Sequence, residues 1–370
     1  MKSKGIWVLV SVLVVLGLLM AGFGYASSTS EIKPAKFVYT THQSDSGFIE
    51  VANGWWMDQV TKRTGGKITF ERFYGASLAK PGDTARTVGE GTAQMGMVGP
   101  AYTPAFFPAW TVVEVIYLSP SPYVTQITAK ELLKKNNVIA AEWDKVNLHP
   151  VTPLPAAPAI ICTKKQVKTI ENLKGQKIRG YGFIIEALNL TGAVGVAMAL
   201  GEVYDALQRG VLDGISGIPY EYSVAGRYHE VAPYCTDPGF GVYGTGVLVM
   251  NKNVWNSLDK GLKDIIEEVN SEFPTYFTNV ALEVAEWKRL LVGLAEGQIL
   301  YDMPASEKAR FADLIKKPIK KSWIEKTSGK GFDAAKLLAE YESMLSKNMP
   351  NDLYTNIFTL IDKAKKELGK

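Results

Sequence analysis

The residue types that most often carry covalent, redox or metal chemistry are scarce in this sequence. Its 370 residues include two cysteines and three histidines. His42, His149 and His229 lie far apart and show no ligand spacing of the HExxH kind. There is no CxxC, no P-loop, no GxSxG and no GxGxxG in a strand–helix setting, and "GTGVLVMNK" is too short a match to suggest a dinucleotide site. Carboxylate pairs form in space and are not legible in sequence. No nucleophile or general base is nominated, and neither a metal site nor a cofactor is expected. An excess of one charge is lacking too. Setting Lys2 and Lys4 aside from the 41 basic residues leaves 39 against 37 acidic ones, since the first 26 residues hold no acid. So balanced a chain gives no case for a nucleic-acid surface.

The two cysteines, Cys162 and Cys235, sit in apolar, strand-like stretches, "APAIICTKK" and "VAPYCTD". An exported compartment permits a disulfide between them. A chain that is 46% hydrophobic buries a sizeable core without a staple. Two separate buried thiols are therefore expected.

What is present begins with the N-terminus, "MKSKGIWVLVSVLVVLGLLMAGFGYASS". Two lysines precede an apolar run from Ile6 to about Gly22, and Gly24 and Ala26 supply the small residues of a cleavage site. The run approaches the roughly 17–20 residues of a membrane span, so a retained anchor is the competing reading. The small-residue tail favours cleavage. No cysteine follows, which leaves a lipid anchor unsupported. Residues 1–26 are read as a signal peptide, with the working protein starting near Ser27 in the periplasm.

The rest alternates strand and helix. "AKFVYTTHQ" reads as a strand, and the helix after Gly47 stops at Gly65–Gly66. "KITFERFYG" is a strand, "DTARTVGEGTAQ" a helix, and "MGMVGPAY" a short buried strand ending on glycine. A second series starts near residue 158 with "AIICTK", "QKIRGYG" and the helical "FIIEALNLTGA". "YGTGVLVMNKNVWNSL" is a long strand leading into a helical stretch over 259–299, and from about 305 the chain is amphipathic and helical. Strands apolar on both faces and alternating with helices indicate an α/β fold with largely parallel sheets. Length favours two domains. No repeat and no low-complexity linker separates them, so ordered strands and helices must join them.

In "ENLKGQKIRGYG", Arg179 closes a short apolar pulse just before the Tyr181–Gly182 pair. Alone it would be a solvated surface arginine. Its setting changes that. "TIENLKGQKIRGYG", "LGEVYDALQRGVLDGISGIP" and "YGTGVLVMNKNVWNSL" follow "VTKRTGGKITFERFYGASLA", "GTAQMGMVGPAY" and "FFPAW" in order. With these segments the chain resembles, over essentially its whole mature length, the DctP-type solute-binding proteins of tripartite ATP-independent periplasmic (TRAP) transporters.

The resemblance implies a two-lobed, periplasmic-binding-protein-like α/β fold with crossing hinge strands and long helices. It places residues 33–155 with 244–283 in one lobe and 156–243 with 284–370 in the other. It implies a monomer that closes on a small organic acid and passes it to the small and large TRAP membrane subunits. In this family the arginine ending "LKGxKIR" anchors the ligand carboxylate, which makes Arg179 the expected anchor. A planar guanidinium matches a carboxylate fork, and in a dry cleft that pairing is strong and geometrically demanding.

Other pocket positions carried over are His42, Gly99, Tyr102, Tyr181, Gly182, Leu200, Gly217 and Tyr220. Packing is the competing role for each, because apolar and aromatic residues are mostly core. The chain departs from relatives in having "ISGIP" where many place an asparagine, and "PAI" near 158–160 where some place a second basic residue. A cleft with one strong cation and apolar or aromatic walls suits a monocarboxylate better than a dicarboxylate. Relatives that bind through a metal use an acid–Trp pair, whereas Glu221 here lies between two tyrosines. Two rivals stand beside this reading: the binding protein of an ATP-driven importer, and an exported α/β enzyme.

Overall fold

The structure is a computed structural model that describes residues 32–198 and 200–370; the segment read as a signal peptide lies outside them. The chain opens with β1 (Ala35–Thr40), then the helix Phe48–Arg63 and β2 (Ile68–Phe73). That helix buries Phe48, Ile49, Ala52, Trp56, Met57 and Val60, the three- and four-residue spacing of a single apolar face. It ends at Gly65 and Gly66, whose φ of 61° and 81° L-residues seldom adopt. The helix Thr84–Gly89, β3 (Met95–Val98), the helices Pro122–Lys135 and Asn137–Lys145, and β4 (Leu148–Pro155) follow.

β5 (Ile160–Thr163), β6 (Lys177–Gly180), the helix Phe183–Leu190, β7 (Val194–Ala197), β8 (Gly214–Ile218), the helix Tyr220–Ala225 and β9 (Tyr234–Asp237) form the second series. β10 (Thr245–Asn251) then returns to the first, and β11 (Ile299–Asp302) adds to the second. The result is two sheets, ordered β2-β1-β3-β10-β4 and β11-β9-β5-β8-β6-β7. This is the two-lobed plan.

The sheets are mixed rather than largely parallel. β10 runs antiparallel to both β3 and β4, and β5 antiparallel to both β8 and β9. These two strands enter their sheets directly after a crossing from the other one, which reverses their direction. The crossing segments themselves run side by side. Ala156 N–H donates to Gly244 O at 3.0 Å and Ala159 N–H to Gly241 O at 2.8 Å, around a bridge between Pro158 and Val242.

A third connection is helical. Lys260–Tyr276 buries Leu262, Ile266, Val269 and Phe273 in the core of the five-stranded sheet. After a π turn over Phe277–Leu282, the helix Glu283–Ala295 buries Leu290 and Leu294 against the six-stranded one. Pro274 removes one donor from this helix shortly before its geometry changes. The C-terminal helices also straddle the division, with Ala305–Thr327 packed on Phe183–Leu190 and Ala334–Asn348 on Pro122–Lys135. No described helix is long and apolar enough to cross a membrane.

The expectation of two free thiols is corrected. β5 and β9 pair in a register that sets Cys162 opposite Cys235, and the two form a disulfide with Cα atoms 4.1 Å apart. Directly opposed antiparallel residues approach closely enough for this. A sequence separation of 73 gives no hint of it.

Candidate functional site

Beside the crossing segments, loops from both sheets enclose about 590 Å³ of empty space, part of it continuous with solvent. His42, Gly99, Tyr102, Arg179, Tyr181, Leu200 and Gly217 all line it. So positions spread over most of the chain converge on one cavity.

Arg179 stands near the C-terminal end of β6, held between β7 and β8. It is only 1% exposed. Its Nε donates to Met198 O at 3.0 Å, while Nη1 has no partner in the protein. The guanidinium lies 5.1 Å from the ring centroid of Tyr181, within cation–π range. Among the described lining residues it is the one lysine or arginine.

Aromatic rings build the walls. Tyr181 lies parallel to Tyr102, with centroids 6.0 Å apart and planes 3° apart, and it leans on Tyr243 at 4.8 Å. Gly217, at φ 76°, leaves room for Tyr181, since a Cβ there would sit 3.2 Å from the ring. His42 meets Tyr102 edge-on at 5.2 Å, and its Nδ1 has no protein partner. Burial lowers the pKa of His42 to about 4, so the ring is neutral at physiological pH. Its electrostatic part is that of a polar neutral group, not a second cation.

Two carried-over residues fall elsewhere. Tyr220, 1% exposed, turns into the core of the six-stranded sheet, and its hydroxyl donates to Gln298 Oε1 at 2.7 Å. Gly182 shapes the turn behind the cavity. At φ 49°, a Cβ there would come within 2.2 Å of Tyr243 Oη, which receives the Phe183 N–H at 3.1 Å. It faces an adjoining cavity lined by Phe183, Trp323 and Lys326. Glu221 also points away, with its carboxyl 3.8 Å from Arg289 Nε and outside the cavity lining.

Several lining residues escaped the sequence reading. Tyr222, Tyr243, Gly244, Thr245, Gln43 and Glu114 all contribute. Glu114 had a visible signal, a lone acid within the apolar "TVVEVIYL". The tyrosines had none, since aromatic residues are ordinarily core.

Tyr222 also joins the lobes. Its hydroxyl donates to Gln43 Oε1 at 2.6 Å, and its ring meets Phe48 edge-on. Gln43 follows β1 of one sheet, and Tyr222 follows β8 of the other. Tyr222→Phe removes one hydrogen bond made only when the lobes meet, worth about 0.5–1.5 kcal/mol. Ligand affinity is expected to fall roughly two- to tenfold, mostly through faster dissociation. Stopped-flow release showing an unchanged off-rate overturns this role.

Residues 38–326 match the family model DctP, described as bacterial extracellular solute-binding protein, family 7. The chain belongs to that family. A solute-binding protein of Albidiferax ferrireducens is 25% identical over 76% of this chain and 82% of its own length. The C4-dicarboxylate-binding periplasmic protein DctP of Rhodobacter capsulatus is 29% identical, over 41% of this chain and 45% of its own. Among solved structures, a TRAP periplasmic solute-binding protein from Desulfovibrio salexigens has a TM-score of 0.74 at 26% identity, covering 84% of this chain and 96% of that one. A TRAP solute-binding protein from Rhodoferax ferrireducens, complexed with copurified benzoate, shares the fold with a TM-score of 0.77 at 24% identity, over 85% of this chain and 99% of that one. Both solved structures are of TRAP solute-binding proteins, and the enzyme and ATP-importer readings fall away with the family assignment.

Proposed function

We propose that this TRAP solute-binding protein closes over a small monocarboxylate with an apolar or aromatic body, held by Arg179, and delivers it to the membrane subunits of its transporter. The observation that carries this reading is the buried guanidinium with an unpartnered Nη1 in an aromatic-walled cavity. An arginine keeps its charge inside proteins, and a buried charge without a counter-ion is costly. A ligand carboxylate supplies that counter-ion. The aromatic walls suit an apolar body, and benzoate in the Rhodoferax protein agrees with this. Gly99, Tyr102, Tyr181, Leu200, Gly217 and His42 serve as its surroundings.

In this reading the protein works as a monomer in the periplasm, after removal of residues 1–26. Its lobes comprise residues 33–155 with 244–283 and 156–243 with 284–370. Ligand passes from the cavity to the small and large membrane subunits when the lobes part. Glu221 lies outside the cavity lining, 3.8 Å from Arg289 Nε, and is not placed to hold a metal against the ligand.

A thermal-shift screen of organic acids tests the ligand class. A ligand at 100 times its dissociation constant stabilises the folded state by about 2.7 kcal/mol. Monocarboxylates with an apolar body should raise the melting temperature more than dicarboxylates or uncharged analogues. A shift confined to dicarboxylates or to neutral compounds overturns the reading.

A further inference from the structure

We infer that Glu114 and Thr245 form a second recognition point of the ligand cavity, taking a hydroxyl or oxo substituent on the body of the carboxylate that Arg179 holds. The inference rests on the carboxylate reading above and adds a requirement to it.

Glu114 ends the 3-10 turn Trp110–Glu114, among the buried valines Val112, Val113 and Val115. It is 3% exposed. The backbones of Ala101 and Thr245 come close enough to its carboxyl group to favour the charged form. Its Oε1 nevertheless has no partner in the protein. Thr245, the first residue of β10, is wholly buried, and its Oγ1 is also unpartnered. Both residues line the same cavity as Arg179, and Glu114 additionally borders the adjoining one.

A buried polar atom left unpaired costs stability that a valine at the same place would not. Two such atoms, on residues that line one ligand cavity, are accounted for when the ligand completes them. Burial lifts the pKa of Glu114 to about 8, against the pull of the two backbones. At neutral pH it is therefore a carboxylic acid with a proton to donate. A threonine hydroxyl both donates and accepts. A ligand hydroxyl can accept from Glu114 and donate to Thr245, and an oxo oxygen can accept from both. A second carboxylate would bring a negative charge to a point with no cation of its own. An ammonium would instead draw the proton from Glu114 and make an ion pair, a different site altogether.

Calorimetry separates these cases. Benzoate and phenylacetate are compared with their ring-hydroxylated isomers and with 3-(aminomethyl)benzoate, on wild type, Glu114→Leu and Thr245→Val. The best hydroxylated isomer should bind wild type about ten- to a hundredfold more tightly than its parent acid. That ratio should fall towards one in each variant. The ratio is the readout, so a general loosening of the cavity that weakens all acids alike does not imitate the effect. Should Glu114→Leu fail to fold, the near-isosteric Thr245→Val decides. Parent acids bound as tightly as hydroxylated ones by wild type, or a ratio unmoved in the variants, overturn this inference alone. Tightest binding of the aminomethyl acid overturns it in favour of a cation site. If none of these acids binds, and no acid of the thermal-shift screen does, the carboxylate reading falls and this inference falls with it.

Discussion

Arg179→Ala is expected to weaken ligand binding by about 30-fold to several thousand-fold, on the affinity scale that equates tenfold with 1.4 kcal/mol. Removing one partner of a buried, hydrogen-bonded charge pair costs about 2–5 kcal/mol, much of it from the charge left desolvated. In the proposed reading that charge is the ligand carboxylate, and no other lysine or arginine is among the described lining residues. Arg179→Lys should recover only part of the loss, because an ammonium cannot offer two parallel donors to a carboxylate. A lysine also places a methylene where Nε stands, which forfeits the bond to Met198 O.

Stability should respond in the opposite sense. Within the protein the guanidinium makes one side-chain hydrogen bond and leaves Nη1 unpaired. Replacing a poorly compensated buried charge by an apolar side chain of similar length is often neutral or stabilising. Arg179→Met should therefore melt at or above the wild-type temperature without ligand, yet show no ligand-induced shift. Isothermal calorimetry with one identified acid, and melting curves with and without it, give both readouts. If the alanine variant binds as tightly as wild type, Arg179 is not the anchor.

The same residues show which parts of the molecule were legible in the sequence. Arg179 was legible because a strand ended on it, within an order of segments shared with a known family. The strands and helices around it were legible through periodicity, since β1, β6 and β10 each fall within a stretch that reads as strand. Helix phase was not. Tyr220 and Tyr222 differ by two positions at the start of one short helix, about 200° around its axis. One turns to the core and the other to the cavity. Nothing in "PYEYS" says which. The direction of β5 and β10 was hidden for a related reason, because it depends on where the chain has just come from. Glu114 was visible as an acid among valines, but its neighbours Ala101 and Thr245 are distant in sequence. Such a constellation exists only once the lobe that contains all three has folded.

Loss of the Cys162–Cys235 disulfide should lower stability by about 2–4 kcal/mol, the typical range for such a crosslink. The bridge closes a long loop, with a sequence separation of 73, so the entropy it removes from the unfolded chain is near the upper end of that range. It also ties β5 to β9 inside the six-stranded sheet, where both residues are buried. The double variant Cys162→Ala/Cys235→Ala should therefore unfold at lower denaturant concentration. Its carboxylate affinity should stay close to wild type, because neither cysteine lines the cavity. Reductant should act slowly on the native protein and quickly in urea, since a buried bridge is reached only after opening. A persistent disulfide also belongs with an oxidising compartment, which ties this test to the proposed export. Thiol labelling and urea titration of both proteins are the measurements. Two free thiols in the exported protein, or identical denaturation midpoints, would mean that the large core holds this sheet together without the bridge.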